Sequence, residues 1–231
     1  MTTSGVANFT LDLAEVVEEA FERAGGELRT GYDLRTARRS LNLMFADWAN
    51  RGLNMFTYEQ GSIPLVAGTA TYNLPADTVD LLEHVIRTGA GSVSTQADLT
   101  ITRISVSTYA TIPNKLTQAR PIQVWIERLD TPRITVWPVP DDTQPYTFVY
   151  WRLRRIQDAG TGVNTMDMPF RFYEAMTAGL AYHLALKLPN SMDRLPILKQ
   201  QYDEAWELAS TEDREKAAAR FVPRRMFIGG Y

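Results

Sequence analysis

Apolar positions near the start of the chain recur at helical spacing: Leu13, Val16, Val17, Ala20, Phe21 and Ala24 fall on one stripe, and Gly25 and Gly26 supply a stop. This spacing predicts a first helix over about residues 10–24. A second stripe, Leu34, Ala37, Leu41, Met44, Phe45 and Trp48, predicts a helix over about residues 33–51, ended by Gly52. The two are expected to pair as an antiparallel hairpin, with Trp48 anchoring it to whatever sheet follows. Helical spacing returns late in the chain. Pro169 stands at a plausible first position, followed by Phe172, Met176, Leu180 and Leu184, and Pro189 ends a helix over about residues 169–188. A last helix, over about residues 192–212, carries Leu195, Leu198, Tyr202, Ala205, Trp206 and Ala209 on one stripe, with Pro196 near its start and Ser191 or Asp193 as its cap.

Between these helical halves the period changes. Over about residues 57–156, β-branched and aromatic residues alternate with polar ones, and prolines punctuate them. The clearest unit is a hairpin in which Gln123–Arg128 turns through Leu129, Asp130, Thr131 and Pro132 into Arg133–Pro138. A further strand follows, with Tyr146, Phe148 and Tyr150 on one face and Thr147, Val149 and Trp151 on the other, so the sheet needs cover on both sides. Tyr72, Leu74 and Pro75 are expected to open a turn toward Leu81 and Leu82, and Trp137, Pro138 and Pro140 to stiffen a strand exit. The polar stretch of residues 88–121, with GAGSVSTQ inside it, reads as an excursion from the body that suits an inter-subunit arm, although LTITRISVSTY within it has strand character. Residues 158–167 read as a flexible linker. The pattern therefore predicts an α+β fold: a bundle of about four helices flanking one small, mostly antiparallel β-sheet, with a single body over residues 1–212 and an extended C-terminal arm over residues 213–231.

Composition narrows the function classes. The chain has 231 residues, 45% of them hydrophobic and 22% charged, which is ordinary globular usage. Its net charge of -3 gives no overall footprint for gripping nucleic acid. The absence of cysteine removes disulfide frameworks, thiolate metal sites and cysteine nucleophiles together. No run approaches the roughly 18 apolar residues of a membrane span, and the N-terminus lacks the pattern of a secretion signal, so no membrane association is expected.

Catalytic chemistry finds little support. The histidines, His84 and His183, stand in different segments without metal-ligand spacing and read as structural. Asp141 and Asp142 lie between PVP and TQP, a turn context. The Arg35, Arg38 and Arg39 cluster, a candidate nucleic-acid patch, reads as a solvated face of the second helix. No glycine-rich phosphate loop, cofactor motif or metal site is recognisable.

The order of motifs is more informative than any one of them. LNLMFADWANRGLNMFTYE is followed by TATYNLPADTVDLL, ARPIQVWIER, RITVWPVPD, YTFVYWRLRR and MPFRFYEAMTAGLAYHLALK. In that order the chain resembles the head-to-tail adaptor family of tailed bacteriophages, the head-completion or connector proteins that bind beneath the portal. The resemblance implies a structural virion protein and not an enzyme, located at the head-tail junction and assembled in the host cytoplasm. It further implies a ring, commonly a dodecamer, that binds the portal, meets tail or nozzle proteins, and lets genomic DNA pass without specific binding. A net negative subunit suits such a conduit, because each neutralised phosphate would add salt-dependent affinity and hold the DNA back. The competing readings are a virion-associated peptidoglycan hydrolase using Glu83 or Glu174 as general acid, and a DNA-binding packaging component. The docking candidates lie in the tail, where Arg220, Arg224 and Arg225 precede Phe227, Ile228 and Tyr231; with Pro223 between them, they suit an extended peptide laid on a protein groove or sheet edge.

Overall fold

The structure, a computed structural model, describes residues 11–27, 31–51, 57–161 and 163–213. Within them a helical half and a β half each bury their own core. The first helix, α1 (Leu13–Ala24), starts where the Asp12 side chain accepts from the Glu15 backbone N–H and the Glu15 carboxylate accepts in return from the Asp12 N–H, a capping box. It ends at Gly25, whose φ of 85° is the left-handed conformation that closes helices with least strain in glycine. The second helix, α2 (Gly31–Trp48), buries Ala37, Leu41, Met44, Phe45 and Trp48 as the stripe predicts.

Two four-stranded sheets make the β half, rather than the single sheet expected from sequence. In chain order the strands are β1 (Tyr58–Pro64), β2 (Thr71–Asn73), β3 (Thr78–Thr88), β4 (Ala97–Thr100), β5 (Thr102–Ile104), β6 (Gln123–Glu127), β7 (Arg133–Trp137) and β8 (Tyr146–Arg154). One sheet runs β1-β8-β3-β4 and the other β2-β7-β6-β5, antiparallel throughout except for the β5–β6 pair. The predicted hairpin is β6 and β7, in register from Gln123 opposite Trp137 to Glu127 opposite Arg133. Leu81, Ile86, Tyr146, Phe148 and Tyr150 from the first sheet meet Val124, Ile126, Ile134 and Val136 from the second in one core. Alternation along each strand identified these faces, but it could not say that they belong to different sheets.

The polar stretch of residues 88–121 is not a free arm. It supplies β4, which pairs with β3, then β5, which pairs with β6, then a short helix, α3 (Val106–Ala110). Arg87 and Asp98 lock the β3–β4 hairpin through two hydrogen bonds of 2.7 and 2.8 Å. Its polar composition misled because edge strands with solvent on one side need few apolar residues.

The chain returns to the helical half through residues 155–161 and 163–168, which are pinned instead of flexible. Ala159 N–H donates to the Asn42 side chain of α2, Leu13 N–H donates to the Asn164 carbonyl, and the Arg154 guanidinium pairs with Asp167. Pro169, in extended conformation, precedes a 3₁₀ turn over Phe170–Phe172, and then α4 (Tyr173–Ala185) begins. A second 3₁₀ turn, Met192–Arg194, leads into α5 (Leu195–Glu212); neither Ser191 nor Asp193 makes a capping bond there.

Helix α4 is the centre of the bundle. Its Ala175, Met176, Ala178, Gly179, Leu180, Ala181 and Leu184 are all buried, because α1, α2 and α5 each pack on it. The expected α1–α2 hairpin is correspondingly loose: each helix spends its stripe on α4, and the two touch little. Trp48 likewise does not anchor α2 to a sheet. Its indole lies fully buried among Phe45, Phe172 and Trp206, and its Nε1–H donates 2.7 Å to the Tyr202 hydroxyl of α5.

Candidate functional site

The residues that sequence offered for chemistry are not brought together. His84, on β3, projects between the sheets with its ring 6.0 Å from that of Phe148, and neither ring nitrogen has a hydrogen-bond partner. Burial pushes its pKa down, with Arg103 adding to this and Glu83 opposing it. His183 sits on α4 beside Tyr182 and Tyr202; its pKa too is pushed down, by burial first and then by Lys187 and Arg51, against an opposing effect of Asp47. The two histidines are half-buried and lie in different halves of the molecule, His84 on β3 and His183 on α4. Among the described residues, no group of three or more His, Asp or Glu side chains could hold a metal ion.

The carboxylates proposed for acid-base work are equally dispersed. Asp141 Oδ1 accepts from the Thr143 N–H and hydroxyl, so it shapes the turn that its context predicts. Glu174 is exposed and held by Arg23 at 2.6 and 3.0 Å, unlike the desolvated carboxyl of a general acid. Glu83 is exposed on β3. A cleft of about 450 Å³ opens between α2 and the β half, lined by Phe45, Asn50, Leu129 and Arg155 among others. Arg155 is already committed there, donating to the Ala76 carbonyl.

What the fold does build are charged faces and charged locks. The buried Arg152 guanidinium of β8 gathers Glu59 of β1 with Asp77 and the Thr78 hydroxyl just before and within β3, tying the strand ends beside the helical half. The Arg152 pairing holds the Asp77 carboxyl below its usual range. At the far end of the chain's described part, Arg171 pairs with the buried Asp213, which fixes the point where α5 stops.

The outer side of α1 carries Glu15, Glu18, Glu19 and Glu22, all exposed, and among the described residues only Glu19 meets a cation, Arg23. The outer side of α2 carries the reverse charge. Arg35 and Arg39 are exposed and Arg38 half-buried, and none forms an ion pair among the described residues. Lys187, just past α4, donates to the Ser40 hydroxyl and joins this group; burial and then Arg39 push its pKa down. Exposed Leu43 and Leu186 border the basic group. Sequence reasoning saw the arginines but not Lys187, which is distant along the chain.

The family described as SU10 adaptor protein matches residues 11–225, covering both halves and reaching into the tail. The chain belongs to the SU10 adaptor family. This is a family of phage head-to-tail adaptors, and the motif order in the sequence is thereby accounted for. No curated protein matches the sequence. The family points to a structural role. Of the tail candidates, Arg220, Arg224 and Arg225 fall inside the SU10 adaptor match and Phe227, Ile228 and Tyr231 beyond it; all six lie outside the described residues. No helix among the described residues is long and apolar enough to cross a membrane.

Proposed function

We propose that this SU10 adaptor is a ring subunit that binds the portal, presents its other end to tail or nozzle proteins, and surrounds the path of the genomic DNA. The observation that carries this reading is the family match over residues 11–225, which spans both cores and the pinned connection between them. The net charge of -3 fits a conduit that does not retain a polyanion. The body would run over residues 1–212, with α5 closed by the Arg171–Asp213 pair, and residues 213–231 would form the docking arm, with Arg220, Arg224, Arg225, Phe227, Ile228 and Tyr231 as its contacts. Assembly would take place in the host cytoplasm and the product would sit at the head-tail junction of the virion.

The test is the mass and symmetry of the particle formed when the purified chain is mixed with the portal of the same phage. A ring of adaptor copies on the portal is the expected result. A portal that gains no copies, with an adaptor that remains monomeric, would overturn the reading.

A further inference from the structure

The glutamates of α1 crowd one outer face of the helix. Glu15, Glu18, Glu19 and Glu22 stand three and four residues apart, so each repels its neighbours on the same face. Arg23 relieves only one flank, through Glu19 and Glu174. On α2, Arg35, Arg38 and Arg39 repeat the situation with the opposite sign, and Lys187, which Arg39 acts on, forms no ion pair among the described residues. The Arg38 Nε is buried without a hydrogen-bond partner. Glu15 serves the α1 cap and Glu19 pairs with Arg23, whereas Glu18, Glu22, Arg35 and Arg39 have no ion-pair partner among the described residues. They acquire a purpose only if a surface of opposite sign arrives.

The two faces cannot neutralise each other within one chain. Both helices direct their apolar stripes at α4, so the acidic and basic faces turn away from the helix that separates them. A face of one kind on one flank and of its complement on another is the requirement for a head-to-tail contact, which closes into a ring when the rotation per copy allows. Exposed apolar side chains sit beside each face, Leu11 next to the glutamates and Leu43 with Leu186 next to the basic group. Each face can therefore bury some apolar surface along with its charge.

We infer that the contact between neighbouring copies in the ring is made by the glutamate face of α1 in one subunit against the Arg35, Arg38, Arg39 and Lys187 face of the next. This rests on the ring reading above and adds the surfaces that build it. A contact held mainly by charge is weak in dilute solution, so copies gathered on a portal would close the ring where free ones do not. Its yield should fall as salt rises.

The experiment uses two double variants of the full chain, Glu18→Arg/Glu22→Arg and Arg35→Glu/Arg39→Glu, all at exposed positions, with folding checked by circular dichroism. Each is mixed with portal alone, and then the two are mixed together with it. Each variant by itself should lose ring yield by about 100-fold, since like charges now face each other. The mixture should recover it, because every contact in an alternating ring again joins opposite charges. If wild type adds no copies to the portal, the proposed function fails and this contact with it. If wild type forms rings and either variant alone does so undiminished, the contact is wrong while the function stands. Loss in both variants without recovery on mixing would assign these faces to the portal, and would equally overturn the inference.

Discussion

Removing the Tyr202 hydroxyl, Tyr202→Phe, tests the bond that joins α2 to α5. Trp48 is wholly buried and Tyr202 is 3% exposed, so the 2.7 Å bond between Nε1–H and the hydroxyl has no access to water. The substitution keeps the ring and its volume but leaves the indole N–H buried and unpaired, at a cost of about 1–3 kcal/mol. Trp48→Phe restores an apolar partner but opens a void among Phe45, Phe172 and Trp206, and also strands the Tyr202 hydroxyl. Combining the two removes both unpaired groups. The double variant should therefore cost less than the sum of the single ones by about 1–2 kcal/mol. Trp48→Ala removes the whole ring and should cost about 3–5 kcal/mol, a large part of the roughly 5–15 kcal/mol that holds a typical fold. Urea unfolding followed by far-ultraviolet circular dichroism measures all four. A Tyr202→Phe protein within about 0.5 kcal/mol of wild type, or strictly additive variants, would refute the argument.

Other outcomes are expected elsewhere. Gly179→Ala should lower stability although alanine favours a helix by about 1 kcal/mol, because its Cβ would come within 2.6 Å of the Met44 sulfur and 2.7 Å of the Tyr202 ring. Overpacking of that kind costs about 1–3 kcal/mol, and a raised melting temperature would contradict it. His84 and His183 both have folded-state pKa values below the ordinary 6.5, so the unfolded chain binds their protons first. Stability should be full above pH 6.5 and decline as pH falls from there toward the folded values, and His84→Phe should flatten the decline in urea midpoint; an unchanged slope would refute His84's part in it. Deleting the hairpin tip between β3 and β4, residues 90–95, should leave the monomer folded and weaken ring formation, whereas rings of unaltered yield would rule out contact with a neighbour there. Truncation after Ala219 should abolish portal binding; undiminished binding would refute a docking arm, and a loss confined to salt-sensitive DNA affinity would assign the arginines to phosphate.

The α+β class, the end of α1 and the β6–β7 hairpin were legible along the chain because each depends on local periodicity and a local stop: Gly25 ends a stripe, and Leu129 to Pro132 reverse a strand. The family was legible too, since motif order is a property of the sequence itself. Other features depended on partners distant in sequence. Alternation along β8 marks Tyr146, Phe148 and Tyr150 as inward, but only the packing of β6 and β7 against them reveals a second sheet. Trp48 lies on a clear stripe, yet nothing near it announces Tyr202, 154 residues later. The polar β4 and β5 look like excursion because edge strands need little apolar surface, and their pairing is decided by β3 and β6. Arg39 and Lys187 become one basic group only when α4 brings its end beside α2. Sequence by itself determined which faces are apolar and which are charged, since that is set by spacing along one element; tertiary structure decided which faces meet, since that is set by burial between elements far apart in the chain.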